Sequence, residues 1–331
     1  MKASVCGFYG YKNYGDSLMR TRIQEFLLNH GVFPKFFSDR ASDEASDYRQ
    51  NNLLESEIVI LGGGGIITEG FWFFKQGLFE KLSNQKFILL NVGLTQESVP
   101  VLEKIKDRVD LIVVRDKFSL RLAREYCSNV IYVPDITYLQ SSRSEKKNNV
   151  AVCLNYYIFG QFFSHNRRDA IFAEKGIIEL AHFLDWVSKE GYSISFVPCQ
   201  TDNLVNDNTV NSILHGFLKK GVMIYDNSQI ENVINTSSLL VSSRYHSSLF
   251  ALKSRIPFID ITHHSKNLNF LNDVGLQEFS ITYWKLELEA LKEKFRKVIE
   301  FDKLNEFSDQ YGVYCTEGWR RVGSSLWEIL K

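Results

Sequence analysis

Three basic side chains stand at the ends of two consecutive apolar runs in the second half of the chain. Leu239–Ser242 leads into Ser243-Arg244-Tyr245-His246-Ser247-Ser248, and Pro257–Ile261 leads into Thr262-His263-His264-Ser265-Lys266. Each run has the length and β-branched content of a strand and is followed by helical periodicity. Sequential parallel strands are commonly neighbours, so Arg244, His246 and Lys266 are expected to converge at adjacent helix N-termini. There, backbone N–H groups and the helix dipole add further positive character. Such a set suits a small, dense anion such as a phosphate or carboxylate. A metal site on His246, His263 and His264 has less support, because adjacent histidines in an extended segment point in opposite directions and no carboxylate stands at ligand spacing.

Other strand ends carry polar residues too. The first turn reads Gly7-Phe8-Tyr9-Gly10-Tyr11-Lys12-Asn13-Tyr14-Gly15-Asp16 and opens a helix. Asp16 is placed either to cap that helix or to take a proton from a substrate hydroxyl. The glycine spacing fits neither the dinucleotide fingerprint nor the Walker loop. A later strand ends in Gly62-Gly63-Gly64-Gly65, which is either a tight exit against a close-packed helix or a backbone cradle for a sugar or phosphate. Arg115, directly after Leu111–Val114, could hold a carboxylate or phosphate with its planar fork, or pair with a neighbouring acid. Asp135, after Val130–Val133, is a candidate base toward a substrate or a turn cap. The run Phe71-Trp72-Phe73-Phe74 offers either core packing or an aromatic face for a sugar, Trp72 in particular.

Short runs rich in Val, Ile and Phe alternate with helical segments along the whole chain, the pattern of parallel sheets covered by helices. Strands are expected near Ala3–Tyr9, Val32–Ser38, Ile58–Leu61, Lys86–Val92, Leu111–Val114 and Val130–Val133, with helices near Asp16–Asn29, Phe74–Leu82, Val99–Asp107 and Lys117–Glu125. The polar stretch Ser38–Asn52 reads as a solvated loop. A polar linker over residues 140–149 precedes a second alternating unit, with strands near Val150–Asn155, Ser193–Pro198, Val222–Tyr225, Leu239–Ser242 and Pro257–Ile261 and a long helix over Ile171–Lys189. The expected fold is α/β, two doubly wound Rossmann-like domains facing a cleft. An N-terminal domain would span 1–140 and a C-terminal domain 149–286, followed over 287–331 by helices Glu287–Phe307 and Glu317–Leu330 that could brace both.

The chain has 331 residues, with 39 Lys plus Arg balanced by 39 Asp plus Glu. The balance is local as well, 17 of each sign in residues 1–140, so no polyanion-binding excess exists and nucleic acid is not an expected partner. Cys6, Cys127, Cys153, Cys199 and Cys315 are odd in number and set mostly in apolar surroundings, which reads as buried thiols rather than a disulfide framework. No apolar run approaches the ~18 residues of a membrane span, and the N-terminus does not read as a signal peptide. A cytoplasmic location is expected, with peripheral membrane contact open.

Taken in order, these motifs resemble the polysaccharide pyruvyl transferase family. The resemblance rests on Asn13-Tyr14-Gly15-Asp16, Gly62–Gly65, Arg115-Asp116-Lys117-Phe118-Ser119, Asp135, Arg244-Tyr245-His246 and Lys266, and spans roughly residues 5–270. It departs from the family pattern at Tyr245, usually aliphatic, and at Ile136, usually proline. The resemblance implies an architecture similar to glycosyltransferases of the B type, phosphoenolpyruvate as donor substrate, no cofactor or metal, and a glycan or lipid-linked saccharide as acceptor. It implies donor binding by Arg244, His246 and Arg115, and Lys266 is expected to join Arg244 as a donor clamp. The expected division of roles has His246 as general acid or phosphate-stabilising group and Asp16 or Asp135 as base. Asn13, Tyr14, Gly63, Gly64 and Trp72 would form the acceptor side. Other expectations compatible with the sequence are a nucleotide-sugar-dependent glycosyltransferase and a non-catalytic glycan-binding protein.

Overall fold

The computed structural model describes residues 1–49, 53–139, 145–157, 167–203, 205–262 and 264–331. His263 and residues 140–144 of the expected linker lie outside the described residues. The chain divides into two compact units, Met1–Leu139 with Tyr311–Lys331, and Gln140–Gln310.

The first unit is built on seven parallel strands: β1 (Lys2–Cys6), β2 (Phe33–Ser38), β3 (Ser46–Asp47), β4 (Ile58–Gly64), β5 (Lys86–Val92), β6 (Leu111–Val114) and β7 (Val130–Tyr132), in the order β3-β2-β1-β4-β5-β6-β7. Helices α1 (Tyr14–Asn29), α2 (Trp72–Lys75), α3 (Val99–Ile105) and α4 (Lys117–Arg124) lie between strands. The central strands β4, β5 and β6 are buried almost throughout, which is why they read as near-continuous apolar runs rather than as alternation. After β3 the chain returns to pair β4 with β1, so the direction of winding reverses between these two strands. In doubly wound sheets ligands bind outside the carboxyl ends of the strands at such a reversal.

The second unit repeats this plan with six parallel strands: β8 (Asn149–Cys153), β9 (Ser193–Phe196), β10 (Val222–Met223), β11 (Leu239–Ser242), β12 (Phe258–Thr262) and β13 (Ser280–Thr282), in the order β10-β9-β8-β11-β12-β13. Its reversal lies between β8 and β11. Helices α5 (Arg167–Lys189), α6 (Asn208–Leu218), α7 (Ile230–Thr236), α8 (Tyr245–Lys253), α9 (Ser265–Val274) and α10 (Leu288–Ile299) complete it. The last helix, α11 (Leu304–Leu330), begins in the second unit and ends in the first. Among the described residues no helix is long and apolar enough to cross a membrane.

The structure differs from the sequence expectation where short-range signals mislead. The stretch expected as a solvated loop contains β3, whose Asp47 is buried and accepts from Arg49 Nε at 2.9 Å. The helix expected near Phe74–Leu82 is instead α2 and a separate 3-10 turn at Phe79–Lys81, parted by Gly77 at φ 63°. The two expected C-terminal helices meet differently: α10 ends at Ile299 and α11 runs unbroken through Gly312, Gly318 and Gly323. Those glycines look like weak points, yet a Cβ at Gly318 would stand 2.5 Å from Val133, so its absence lets α11 close on the end of β7.

Trp319 fixes this contact. It is 3% exposed, donates from Nε1 to Pro134 O at 3.0 Å, and packs edge-on against Phe26 with ring centroids 5.0 Å apart. Trp319→Ala is expected to cost about 3–5 kcal/mol and to lower the melting temperature clearly. An unchanged melting curve would show that α11 adds nothing to the first unit.

Candidate functional site

The carboxyl edge of the second sheet is organised by a buried ion pair. Arg244, which follows β11 as the N-cap residue of α8, is 8% exposed. Its Nε donates to Asp207 Oδ2 at 3.0 Å, its Nη2 to Asp207 Oδ1, and its Nη1 to Gln200 Oε1 at 3.3 Å. Asp207 is fully buried and also accepts the backbone N–H groups of Tyr156 at 2.9 Å, Cys199 at 3.1 Å and Gln200 at 2.9 Å. One carboxylate therefore joins the loops after β8, β9 and β11. Burial alone would lower the Arg244 pKa, but the adjacent carboxylate outweighs it and the guanidinium stays charged with its pKa raised.

The serines around Arg244 hold the turn. Ser242 Oγ accepts the Arg244 N–H at 2.9 Å and lies 2.6 Å from Ser247 Oγ, which donates to Arg244 O at 2.8 Å. Ser243 Oγ accepts the Asn155 N–H at 2.7 Å, bridging the β8–β11 reversal. His246 sits in the first turn of α8, 9% exposed, edge-on to Tyr245 at 5.1 Å and roughly parallel to Phe250 at 6.3 Å. Tyr245, the departure from the family pattern, packs its ring against Phe270 at 5.7 Å.

Lys266 is exposed in the first turn of α9, and His264 occupies the N-cap position of that helix. Burial lowers the His264 pKa, and the charges of Lys266 and Arg244 lower it further, so both cations act on one imidazole. The structure thus brings Arg244, His264 and Lys266 to the same edge, with His246 two residues beyond Arg244. Beneath them Asp260 of β12 is fully buried, accepting from Ser248 Oγ at 2.6 Å and Asn267 Nδ2 at 2.8 Å. Among the described residues its Oδ1 has no hydrogen-bond partner. Burial pushes the Asp260 carboxyl up from 3.8 to about 6, against the opposing pull of its hydrogen bonds and of Lys266.

In the first unit the glycine quartet divides into two pairs. A Cβ at Gly62 would stand 2.8 Å from Val5 Cγ1, and one at Gly63, where φ is +82°, would collide with Met19 of α1. These two serve close helix packing. Gly64, at φ +79°, would bring only Ile66 Cγ2 near, at 3.9 Å, and Gly65 would meet nothing within 4 Å. This second pair leaves bare backbone facing open space, as a cradle requires. Beside it Tyr9 is buried and donates to Gly62 O at 2.7 Å; burial raises its pKa, and Cys6 and Asp16 raise it further. Asn13, rather than Asp16, caps α1, accepting the Gly15 N–H at 3.1 Å, which corrects the capping alternative for Asp16. Asp16 and Tyr14 are half-buried in the first turn of α1.

Two further expectations are corrected here. Trp72 is 5% exposed, stacked on Tyr48 at 4.6 Å and within reach of Gly7 O at 3.4 Å, so it is a core residue and presents no face to a sugar. Asp135 is fully buried: it accepts from Arg115 Nη1 at 3.1 Å, from the Thr137 N–H at 3.0 Å and from Thr137 Oγ1 at 2.8 Å. It caps a turn and balances Arg115, and a carboxylate so enclosed does not approach an acceptor hydroxyl. The neighbouring Asp116 caps α4 by accepting the Ser119 N–H at 2.7 Å, while Ser119 Oγ accepts the Leu94 N–H at 2.8 Å. The Arg-Asp-x-x-Ser element thus ties together the ends of β5, β6 and β7.

Sequence reasoning missed Asp207, Gln200, Asp260 and Asn267. The polar run Thr201–Asn208 after β9 was the available signal for Asp207.

A family model for polysaccharide pyruvyl transferase matches residues 13–265, well over half of the chain. No curated protein sequence matches. The fold is similar to that of S. aureus MnaA in a co-structure with UDP, at 12% identity over 97% of this chain and 95% of that one, with a TM-score of 0.66. It is similar also to UDP-GlcNAc 2-epimerase from Neisseria meningitidis bound to UDP-GlcNAc, at 11% identity over 99% and 100%, TM-score 0.59. Spinosyn rhamnosyltransferase SpnG complexed with thymidine diphosphate gives 9% identity over 98% and 99%, TM-score 0.61. At these identities the likeness is one of fold, of the glycosyltransferase-B and UDP-GlcNAc epimerase type.

Gly63→Ala is expected to cost about 2–4 kcal/mol, from left-handed strain plus the clash with Met19, whereas Gly65→Ala should keep its melting temperature and lower turnover. Equal melting temperatures for the two variants would contradict this division. For Asp260 the folded pKa lies above the unfolded one, so the folded state keeps a proton that the unfolded chain releases. Its contribution to stability therefore falls as pH rises from about 4 to 6 and is flat above. Asp260→Asn removes that loss and should gain up to about 3 kcal/mol on wild type across this window. Parallel urea denaturation at pH 4 and pH 7 measures it, and a pH-independent difference between the two proteins would refute the raised pKa.

Proposed function

The chain belongs to the polysaccharide pyruvyl transferase family, and we propose that it transfers pyruvate from phosphoenolpyruvate to a diol of a surface polysaccharide or its precursor. The product is a pyruvate ketal, with release of inorganic phosphate. The observation that carries this reading is the gathering of Arg244, His246 and Lys266 at the ends of adjacent strands β11 and β12.

Phosphoenolpyruvate places a carboxylate and a phosphate on one small skeleton, and several fixed donors must meet it together. Three of the five N–H groups of Arg244 are engaged by Asp207 and Gln200, which leaves two on a guanidinium that cannot rotate away. Lys266 supplies a mobile charge from the solvent side. Arg115, consumed in its ion pair with Asp135, is left out of this donor set. The reaction adds a proton to the methylene carbon, forms a bond from a sugar oxygen to C2, expels phosphate with the C–O electron pair, and closes the ketal with a second sugar hydroxyl. We assign His246 to protonation or to the departing phosphate, and Asp16 to accepting a proton from the diol. Asn13, Tyr14 and the open backbone of Gly64 and Gly65 would bind the saccharide. The supply of phosphoenolpyruvate places the reaction on the cytoplasmic side, at the membrane if the saccharide is lipid-linked.

A nucleotide-sugar-dependent glycosyltransferase is the second reading, favoured by the fold shared with nucleotide-sugar enzymes. Thermal-shift titration with phosphoenolpyruvate and with a panel of nucleotide sugars separates the two.

With phosphoenolpyruvate and a suitable saccharide, the protein should release phosphate and yield a product heavier by one pyruvate ketal. His246→Ala should lower kcat by about 10²–10⁴-fold while the variant still unfolds cooperatively. Full activity in that variant would remove His246 from the mechanism.

A further inference from the structure

An open groove of about 430 Å³ lies in the first unit at the outer edge of β7, away from the strand ends described above. Two guanidiniums enter it, Arg124 from the last turn of α4 and Arg321 from the middle of α11. Ser324 and Ser325 join them, Ser324 Oγ donating to Arg320 O at 3.3 Å, and among the described residues no carboxylate lines the groove. Elsewhere on this unit exposed Lys86 stands beside Asp110 and exposed Lys104 beside Glu80. In a chain whose charges cancel, two like charges sharing one groove need a reason. Arg124 also complements the α4 dipole, but Arg321 has no such role in the interior of its helix.

The remaining walls are apolar or aromatic. Val130 and Ile131 form the β7 side, and the rings of Tyr132 and Tyr314 meet at 5.4 Å and 49°. Two planar forks plus the Ser325 hydroxyl exceed what a single carboxylate can use and match the several oxygens of a phosphoryl group. We propose that this groove is a binding site for a phosphoryl group carried on an apolar or aromatic moiety. Two sources share that chemistry, a lipid phosphate headgroup and a soluble phosphate ester. The site is separate from the donor edge of the second unit and does not rest on the transferase reading.

The test uses the full chain without phosphoenolpyruvate, which is itself a soluble phosphate ester and would compete for the groove. The probes are phenyl phosphate, followed by calorimetry, and vesicles of phosphatidylcholine with or without phosphatidic acid, followed by co-sedimentation. Wild type should bind, the double variant Arg124→Gln/Arg321→Gln should bind at least about tenfold more weakly, and Arg320→Gln, exposed on the same helix but outside the groove, should match wild type. Co-sedimentation only with phosphatidic acid, and competed by phenyl phosphate, identifies a lipid source; phenyl phosphate binding without vesicle binding identifies a soluble one. Equal affinity in wild type and the double variant, an equal loss in Arg320→Gln, or binding of neither probe overturns the proposal. Because the contrast is between variants of the groove, it stands whether or not phosphoenolpyruvate binds elsewhere.

Discussion

A fully buried carboxylate, Asp207, holds the carboxyl edge of the second unit in place. It accepts from three backbone N–H groups and from Arg244 through both oxygens, so the ends of three strands share one anchor. Burying such a pair costs desolvation that its attraction only partly repays, and it is weak evidence for stability in itself. What it supplies is position. A guanidinium locked by two partners is held in one orientation, and the serines at 242, 243 and 247 fix the backbone that carries it.

The first unit solves the same problem with different residues. Arg115 and Asp135 join the ends of β6 and β7, and Ser119 reaches the backbone after β5. Here the ion pair is turned inward, and the open surface is left to bare backbone at Gly64 and Gly65. Two sheets with the same winding thus offer opposite chemistry at their carboxyl edges, charged side chains in one and exposed peptide groups in the other. That division suits a small anionic donor and a neutral, hydroxyl-rich acceptor.

The winding itself was legible because its strands are buried on both faces and read as unbroken runs of Val, Ile, Leu and Phe. Arg244, His246 and Lys266 were legible because polar residues directly after such runs have few structural reasons to be basic. The partner of Arg244 was not, since Asp207 lies 37 residues upstream in a polar loop without periodicity. Trp72 misled for a related reason: an aromatic cluster has the same sequence pattern whether it faces sugar or core, and only the stacking of Tyr48 decides it. Asp260 sits inside a strand as an ordinary-looking residue of Phe258–Thr262, and its raised pKa comes entirely from burial that no local pattern announces.

Asp207 also changes the electrostatic picture, because it offsets most of the Arg244 charge. The net positive character of the edge then rests with Lys266. Calorimetric titration of phosphoenolpyruvate into wild type and Lys266→Ala therefore tests the account most directly, since Lys266 is exposed. Binding to wild type and at least about tenfold weaker binding to the variant, with equal melting temperatures, is the expected result. Equal binding to both proteins, or binding of a nucleotide sugar in place of phosphoenolpyruvate, would contradict it.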